Sequence, residues 1–188
     1  MEAFLVSTGI VALAEIGDKT QLLTLLLAAR YRKPWPIVLG ILIATIVNHA
    51  IAAAVGAWVA REVGEQAMRW ILGISFLAMA AWMLVPDKLD GDAGASRHLG
   101  GVLLATTILF FFAEIGDKTQ IATVALAARF EAFAAVVAGT TLGMVIANAP
   151  VAFFGEALVR RLPVRKVHVV AALVFAALGI GVLLSATS

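Results

Sequence analysis

The chain of 188 residues has no cysteine, which removes disulfides, thiolate metal sites and cysteine nucleophiles together. Charge is scarce: 14% of residues are Asp, Glu, Lys or Arg, against about 25% in soluble chains. There is no phosphate-binding P-loop, and no polar stretch long enough for a nucleotide-hydrolysing domain. Basic residues are missing ahead of the first apolar run. Met1-Glu2-Ala3-Phe4 carries an acid where a cleaved signal peptide carries lysine or arginine, so that run is expected to be retained. The net charge of +2 and pI near 9.3 sit mostly in short loops and give no reason to expect nucleic acid.

What remains is apolar. Hydrophobic residues make up 62% of the chain and mean hydropathy is +1.01. Residues 34–60, 132–155 and 167–188 contain no Asp, Glu, Lys or Arg. Runs of this length match the roughly 20 residues that span a bilayer as a helix. The expectation is an all-α integral membrane protein with six transmembrane helices near 3–29, 36–60, 67–85, 100–128, 133–158 and 166–186. The first and fourth segments are too long. At 1.5 Å per residue they reach roughly 40 Å against a hydrocarbon core of about 30 Å, so each must tilt, protrude or break.

Those two segments carry the same words. Ala14-Glu15-Ile16-Gly17-Asp18-Lys19-Thr20-Gln21 recurs unchanged at Ala113-Glu114-Ile115-Gly116-Asp117-Lys118-Thr119-Gln120, an offset of 99. The same offset pairs Thr24 with Thr123, Arg30 with Arg129, Gly40 with Gly139 and Gly56 with Gly155. Thirteen of the 17 positions in 14–30 are identical to 113–129, which shared apolar composition does not produce. The chain therefore reads as two three-helix repeats, 1–85 and 99–188, joined by a cytoplasmic linker at 86–98. Because three is odd, the repeats must be inverted. Loop charge agrees: Arg61, Arg69 and Arg129 fall on one side, against Arg30, Arg32, Lys33, Lys88, Arg97, Arg160, Arg161, Arg165 and Lys166 on the other. By the positive-inside rule both termini lie outside the cytoplasm, in a plasma (inner) membrane. Trp35, Trp58, Trp70 and Trp82 fall near span ends, as interfacial anchors do.

Glu15, Asp18 and Lys19, with their copies Glu114, Asp117 and Lys118, are six ionisable groups inside apolar segments. At roughly 2.5–3.5 kcal/mol each near the membrane centre, they would cost on the order of 18 kcal/mol without compensation. One resolution is structural: Glu15 and Lys19, like Glu114 and Lys118, are spaced i,i+4 and suit intrahelical ion pairs. That leaves Asp18, Asp117 and the intervening Gly17 and Gly116 unexplained. The other is functional. Glu and Asp three apart share a helix face, and inverted repeats bring such faces together near the midplane, where transporters place their sites. Four carboxylates and two lysines sum to −2, matched to one divalent cation. Without cysteine, and with no histidine in the motif, the donors are hard oxygens that favour Ca²⁺, Mn²⁺ or Mg²⁺. Gln21, Gln120, Thr20 and Thr119 lie within a turn and can add oxygens, although Thr20 points away from Asp18 on an unbroken helix.

Glu-x-Gly-Asp-Lys-Thr, present twice in three-span repeats, resembles the E-x-G-D-[KR]-[TS] signature of the GDT-type cation/proton exchanger family. That family includes Golgi and chloroplast Mn²⁺/Ca²⁺ transporters and bacterial manganese exporters, and the resemblance extends over essentially the whole chain. It implies that Glu15, Asp18, Glu114 and Asp117 bind the cation of a Mn²⁺- or Ca²⁺-for-H⁺ antiporter. The short central linker makes the chain similar to the compact bacterial members. No resident cofactor is expected, since metal and protons are cargo.

Asn48 and His49 in the second segment and Asn148 in the fifth either approach the acids, with His49 as a proton carrier, or bond neighbouring helices. His98 and His168 read as interfacial, Glu156 with Arg160 as a surface or interfacial pair, and Ala50, Ala52, Ala53, Ala54 and Gly56 as close helix packing. Rival readings are an exporter of a cationic or zwitterionic organic solute, a non-transporting scaffold, and an intramembrane aspartyl protease. The protease leaves Glu15, Glu114 and both lysines without a role, so the chain is read as no enzyme.

Overall fold

Hydropathy draws the first and fourth segments as single stretches, and the structure divides each at its charged motif. The computed structural model describes residues 1–85, 101–155, 157 and 163–187. Among the described residues there are eight helices and no strand: α1 Glu2–Glu15, α2 Lys19–Tyr31, α3 Pro34–Glu62, α4 Glu65–Trp82, α5 Val102–Glu114, α6 Lys118–Phe130, α7 Phe133–Phe154 and α8 Val164–Thr187. Three of them, Pro34–Glu62, Phe133–Phe154 and Val164–Ala186, are long and apolar enough to cross a membrane. The linker at 86–98, His98, and the Glu156 and Arg160 pair lie outside the described residues.

The breaks follow from local chemistry. Gly17 and Gly116 take φ of +84° and +74°, a region that side chains with a Cβ disfavour. Asp18 and Asp117 follow in extended conformation at the N-cap positions of α2 and α6, where aspartate is preferred. The next turns are equally matched. Arg32 and Glu131, 99 apart, both adopt left-handed backbone and donate their N–H groups to the Ala28 and Ala127 carbonyls, ending α2 and α6.

Packing repeats the pattern with partners exchanged. α7 lies on α1 and α3 on α5, while α3 meets α7 and α4 meets α8. A Cβ on Gly40 would fall 2.9 Å from the Leu103 carbonyl oxygen, and one on Gly139 2.5 Å from that of Phe4. Phe4 and Leu103 are themselves repeat equivalents. Phe76 and Phe175, also 99 apart, pack on each other with ring centroids 6.3 Å apart, both fully buried. Trp35, Trp58 and Trp70 are exposed towards the ends of α3 and α4, and Trp82 closes α4.

In the small-residue run, Ala52, Ala53 and Gly56 are buried, and Gly56 sits against the Val124 carbonyl of α6. Ala54 faces outward. Gly9, by contrast, has open space where a Cβ would go. Gly9→Ala is therefore expected to stabilise α1 by about 0.5–1 kcal/mol, the usual gain in a helix interior. Gly56→Ala is expected to lower the melting temperature in detergent, because its methyl meets backbone. Equal shifts for the two variants would remove the close-approach explanation.

Candidate metal centre

Each motif delivers its charges from a helix end. Glu15 and Glu114 are the last residues of α1 and α5, and Lys19 and Lys118 the first of α2 and α6. The intervening residues are not helical, so the shared face expected of Glu15 and Asp18 does not exist, nor do the i,i+4 pairs. The lysines cross over instead. Lys19 Nζ lies 2.9 Å from Asp117 Oδ1, and Lys118 Nζ lies 3.6 Å from Asp18 Oδ1. Each repeat neutralises the other's aspartate.

Glu15, Glu114 and Asp117 are buried, and each offers a carboxylate oxygen within 4.8 Å of the other two. Oxygens on opposite sides of a Ca²⁺-sized ion, at 2.3–2.6 Å each, stand about 4.6–5.2 Å apart, so this spacing admits one cation. Asp18 is buried beside Lys118 and is not in that trio. One oxygen of each glutamate is held by a threonine. Thr20 Oγ1 donates to Glu15 Oε2, and Thr119 Oγ1 donates to Glu114 Oε2 at 3.0 Å and to Asp117 Oδ2 at 3.4 Å. The break turns Thr20 towards Glu15, which an unbroken helix does not. The other oxygen, Oε1 of both Glu15 and Glu114, is buried and accepts no hydrogen bond among the described residues. Buried carboxylate oxygens without a donor are costly, a cost that a bound cation would offset.

The glutamines do something other than expected. Gln21 Oε1 accepts the Gly17 N–H at 2.9 Å and Gln120 Oε1 the Gly116 N–H at 2.7 Å, so their oxygens satisfy donors that the breaks leave open. Their amides reach to the opposite repeat: Gln21 Nε2 donates to the Ala147 carbonyl at 3.0 Å and Gln120 Nε2 to Asn48 Oδ1 at 2.6 Å. Asn48 Nδ2 donates in turn to the Phe111 carbonyl, 3.3 Å away.

Asn148 and His49, repeat equivalents, face the two glutamates. Asn148 Nδ2 is 3.4 Å from Glu15 Oε2, and its Oδ1 accepts from Thr24 Oγ1 at 2.8 Å. His49 Nε2 stands 3.8 Å from Glu114 Oε2, too far for a hydrogen bond. Two participants escape a sequence reading. Thr24 shows only as an identity between repeats. His168 is buried, with Nε2 2.7 Å from the Ile16 carbonyl.

Buried acids on paired, interrupted helices, with membrane-length apolar helices and no strand among the described residues, are the construction of an ion transporter rather than an enzyme. Comparison with known proteins gives the family. The chain belongs to the divalent cation/proton antiporter GDT1 family, whose model matches residues 3–91 and 102–188. It is 50% identical over 176 residues to a Vibrio cholerae protein described as "Putative manganese exporter", covering 93% of this chain and 87% of the relative. A GDT1-like protein of Synechocystis is 27% identical, with 93% of each chain covered. GDT1-like protein 4 of Oryza sativa subsp. japonica is also 27% identical, over 93% of this chain and 70% of its own. No solved structure matches.

Proposed function

We propose that the protein exports a divalent cation, Mn²⁺ in preference to Ca²⁺, in exchange for protons. The observation that carries this is the trio Glu15, Glu114 and Asp117 within 4.8 Å, with an oxygen on each glutamate that accepts no hydrogen bond among the described residues. With both aspartates matched to lysines, the two glutamates leave a charge of −2 for one divalent ion. Manganese ranks first because the relative sharing half its residues is described as an exporter of it. Carboxylates couple the two cargoes directly, since a bound M²⁺ and bound protons are alternative ways to neutralise the same oxygens.

Exporting a divalent ion against an inside-negative potential costs about 2.3 kcal/mol per charge per 100 mV, roughly 4.6 in all. The proton gradient supplies that. In this reading six spans form two inverted units, 1–85 and 99–188, joined by a cytoplasmic linker at 86–98, with both termini outside the inner membrane. The exchange of partners at an offset of 99 (Gly40 on Leu103, Gly139 on Phe4, Lys19 on Asp117, Lys118 on Asp18) supports it. Asp18, Thr20, Thr119, Asn48, His49 and Asn148 support the trio, and no resident cofactor takes part.

The test is purified protein in liposomes carrying an internal pH dye. Mn²⁺ added outside is expected to enter in exchange for protons and raise the internal pH. An amino acid or other organic solute acting where Mn²⁺ does not would favour the organic-solute exporter. Silence with all of them would favour a scaffold.

A further inference from the structure

The two motif breaks are built alike and covered differently. At the first, the amino-terminal turns of α8 lie on the backbone. The Val164 side chain fills the space that a Cβ on Gly17 would take. His168 donates from Nε2 to the Ile16 carbonyl at 2.7 Å, the only sense in which that ring nitrogen can bond a carbonyl. The neighbouring Lys118–Asp18 pair is 1% and 2% exposed. At the second break, Ile115 is 52% exposed and no described heavy atom lies within 4 Å of a Cβ on Gly116. Lys19, paired with Asp117, is 26% exposed.

The residues 99 before Val164 and His168 are Glu65 and Arg69, in the first turns of α4. They do not cover Ile115. Arg69 pairs with Glu65 at 2.5 Å and donates to the Ser185 carbonyl. The helices differ in the same way. α8 packs on α1, yet no comparable packing joins α4 to α5; α4 packs on α6, yet none joins α8 to α2. A cavity of about 840 Å³ opens between α2 and the end of α7, while Gly56, in the equivalent place, is pressed against α6. Meanwhile α4 and α8 hold each other tightly, through Phe76 on Phe175 and Gly73 on Gly179.

From this mismatch we propose that α4 and α8 are one unit that rocks on the other helices. In the state described here α8 closes the first break. In the opposite state α4 closes the second, with Arg69 taking the Ile115 carbonyl as His168 takes that of Ile16. His168 and Arg69 are then positioning residues that hold the two closed forms. This rests on the transport reading above, because a site that exchanges two cargoes must open to one side at a time.

The cysteine-free chain is a ready background for thiol labelling. Ile16→Cys and Ile115→Cys, made separately in the full-length protein, are treated in proteoliposomes with a water-soluble maleimide supplied on both sides. Position 115 is expected to react about tenfold faster than 16. His168→Ala should bring the two rates together, and His168→Gln, which keeps a donor, should restore most of the difference. Equal rates at the two positions, or a ratio untouched by His168→Ala, would overturn the proposal. A second measurement does not depend on those variants folding. Glu65→Cys with Ile115→Cys should be joined by a short bifunctional thiol reagent, faster when Mn²⁺ or a proton gradient drives cycling. No cross-link under any of these conditions overturns it too. Labelling requires no ion to move, so the two ideas fail separately. Unequal, His168-dependent labelling without Mn²⁺-driven pH change rejects the transport assignment, whereas pH change with equal labelling rejects the rocking unit.

Discussion

Glu15→Gln is expected to abolish the Mn²⁺-driven rise of internal pH in liposomes while leaving the protein inserted and folded. Glutamine keeps the shape and can still accept from Thr20 and Asn148, the two groups that hold Glu15 Oε2. What it loses is the charge and the oxygen that accepts no hydrogen bond. Groups that merely orient a metal's ligands cost 10–100-fold in affinity when mutated, so loss of a direct ligand should exceed about a hundredfold. Glu15 is a cleaner choice than Asp117, whose removal would also strand Lys19. Glu2, exposed at the start of α1, is the control: Glu2→Gln should transport normally. Calorimetric titration of Mn²⁺ into both variants separates lost binding from lost movement. Wild-type flux from a well-inserted Glu15→Gln protein would remove this residue from the site.

The second large effect is on stability. Lys118 is 1% exposed and lies 3.6 Å from Asp18, itself 2% exposed. Removing one partner of a buried pair leaves an uncompensated charge, at a cost of about 3–5 kcal/mol. Lys118→Met should therefore melt far earlier in detergent than the parent. Asp18→Asn added to it should recover much of the loss, because both charges of the pair are then removed together. Additive losses in this double-mutant cycle would show that the two side chains do not interact. Recovered stability need not bring recovered transport: the double variant keeps the net −2 of the six groups but has lost both side chains of the pair.

Much of this was legible in the residues. The eight-residue repeat and the glycine between the acids marked the candidate site, and the two overlong segments had to tilt, protrude or break; the structure breaks both. The membership in a cation/proton antiporter family follows from the same motif. The pairing of charges was not legible, for a physical reason. On a continuous helix Glu15 is the nearest partner for Lys19, and only the backbone at Gly17, with φ of +84°, separates them and leaves Asp117 as the closer acid. The glutamine contacts were hidden for the same reason: a helix without a break has no orphan glycine N–H for Gln21 to bond. The contact of His168 was hidden because it stands alone at a span start and meets Ile16, 152 residues away in the chain. No local pattern encodes such a contact. His49 shows the limit from the other side, since it is placed near Glu114 yet stands off at 3.8 Å.

The crossed lysines also bear on ancestry. A lone three-helix unit would own an acid and a base that its bent backbone prevents from meeting. Its charges would be satisfied only by a second copy lying against it, lysine to aspartate in both directions. With both motifs in one chain the two surroundings need not match, and they do not: histidine stands at 49 beside Glu114 where asparagine stands at 148 beside Glu15.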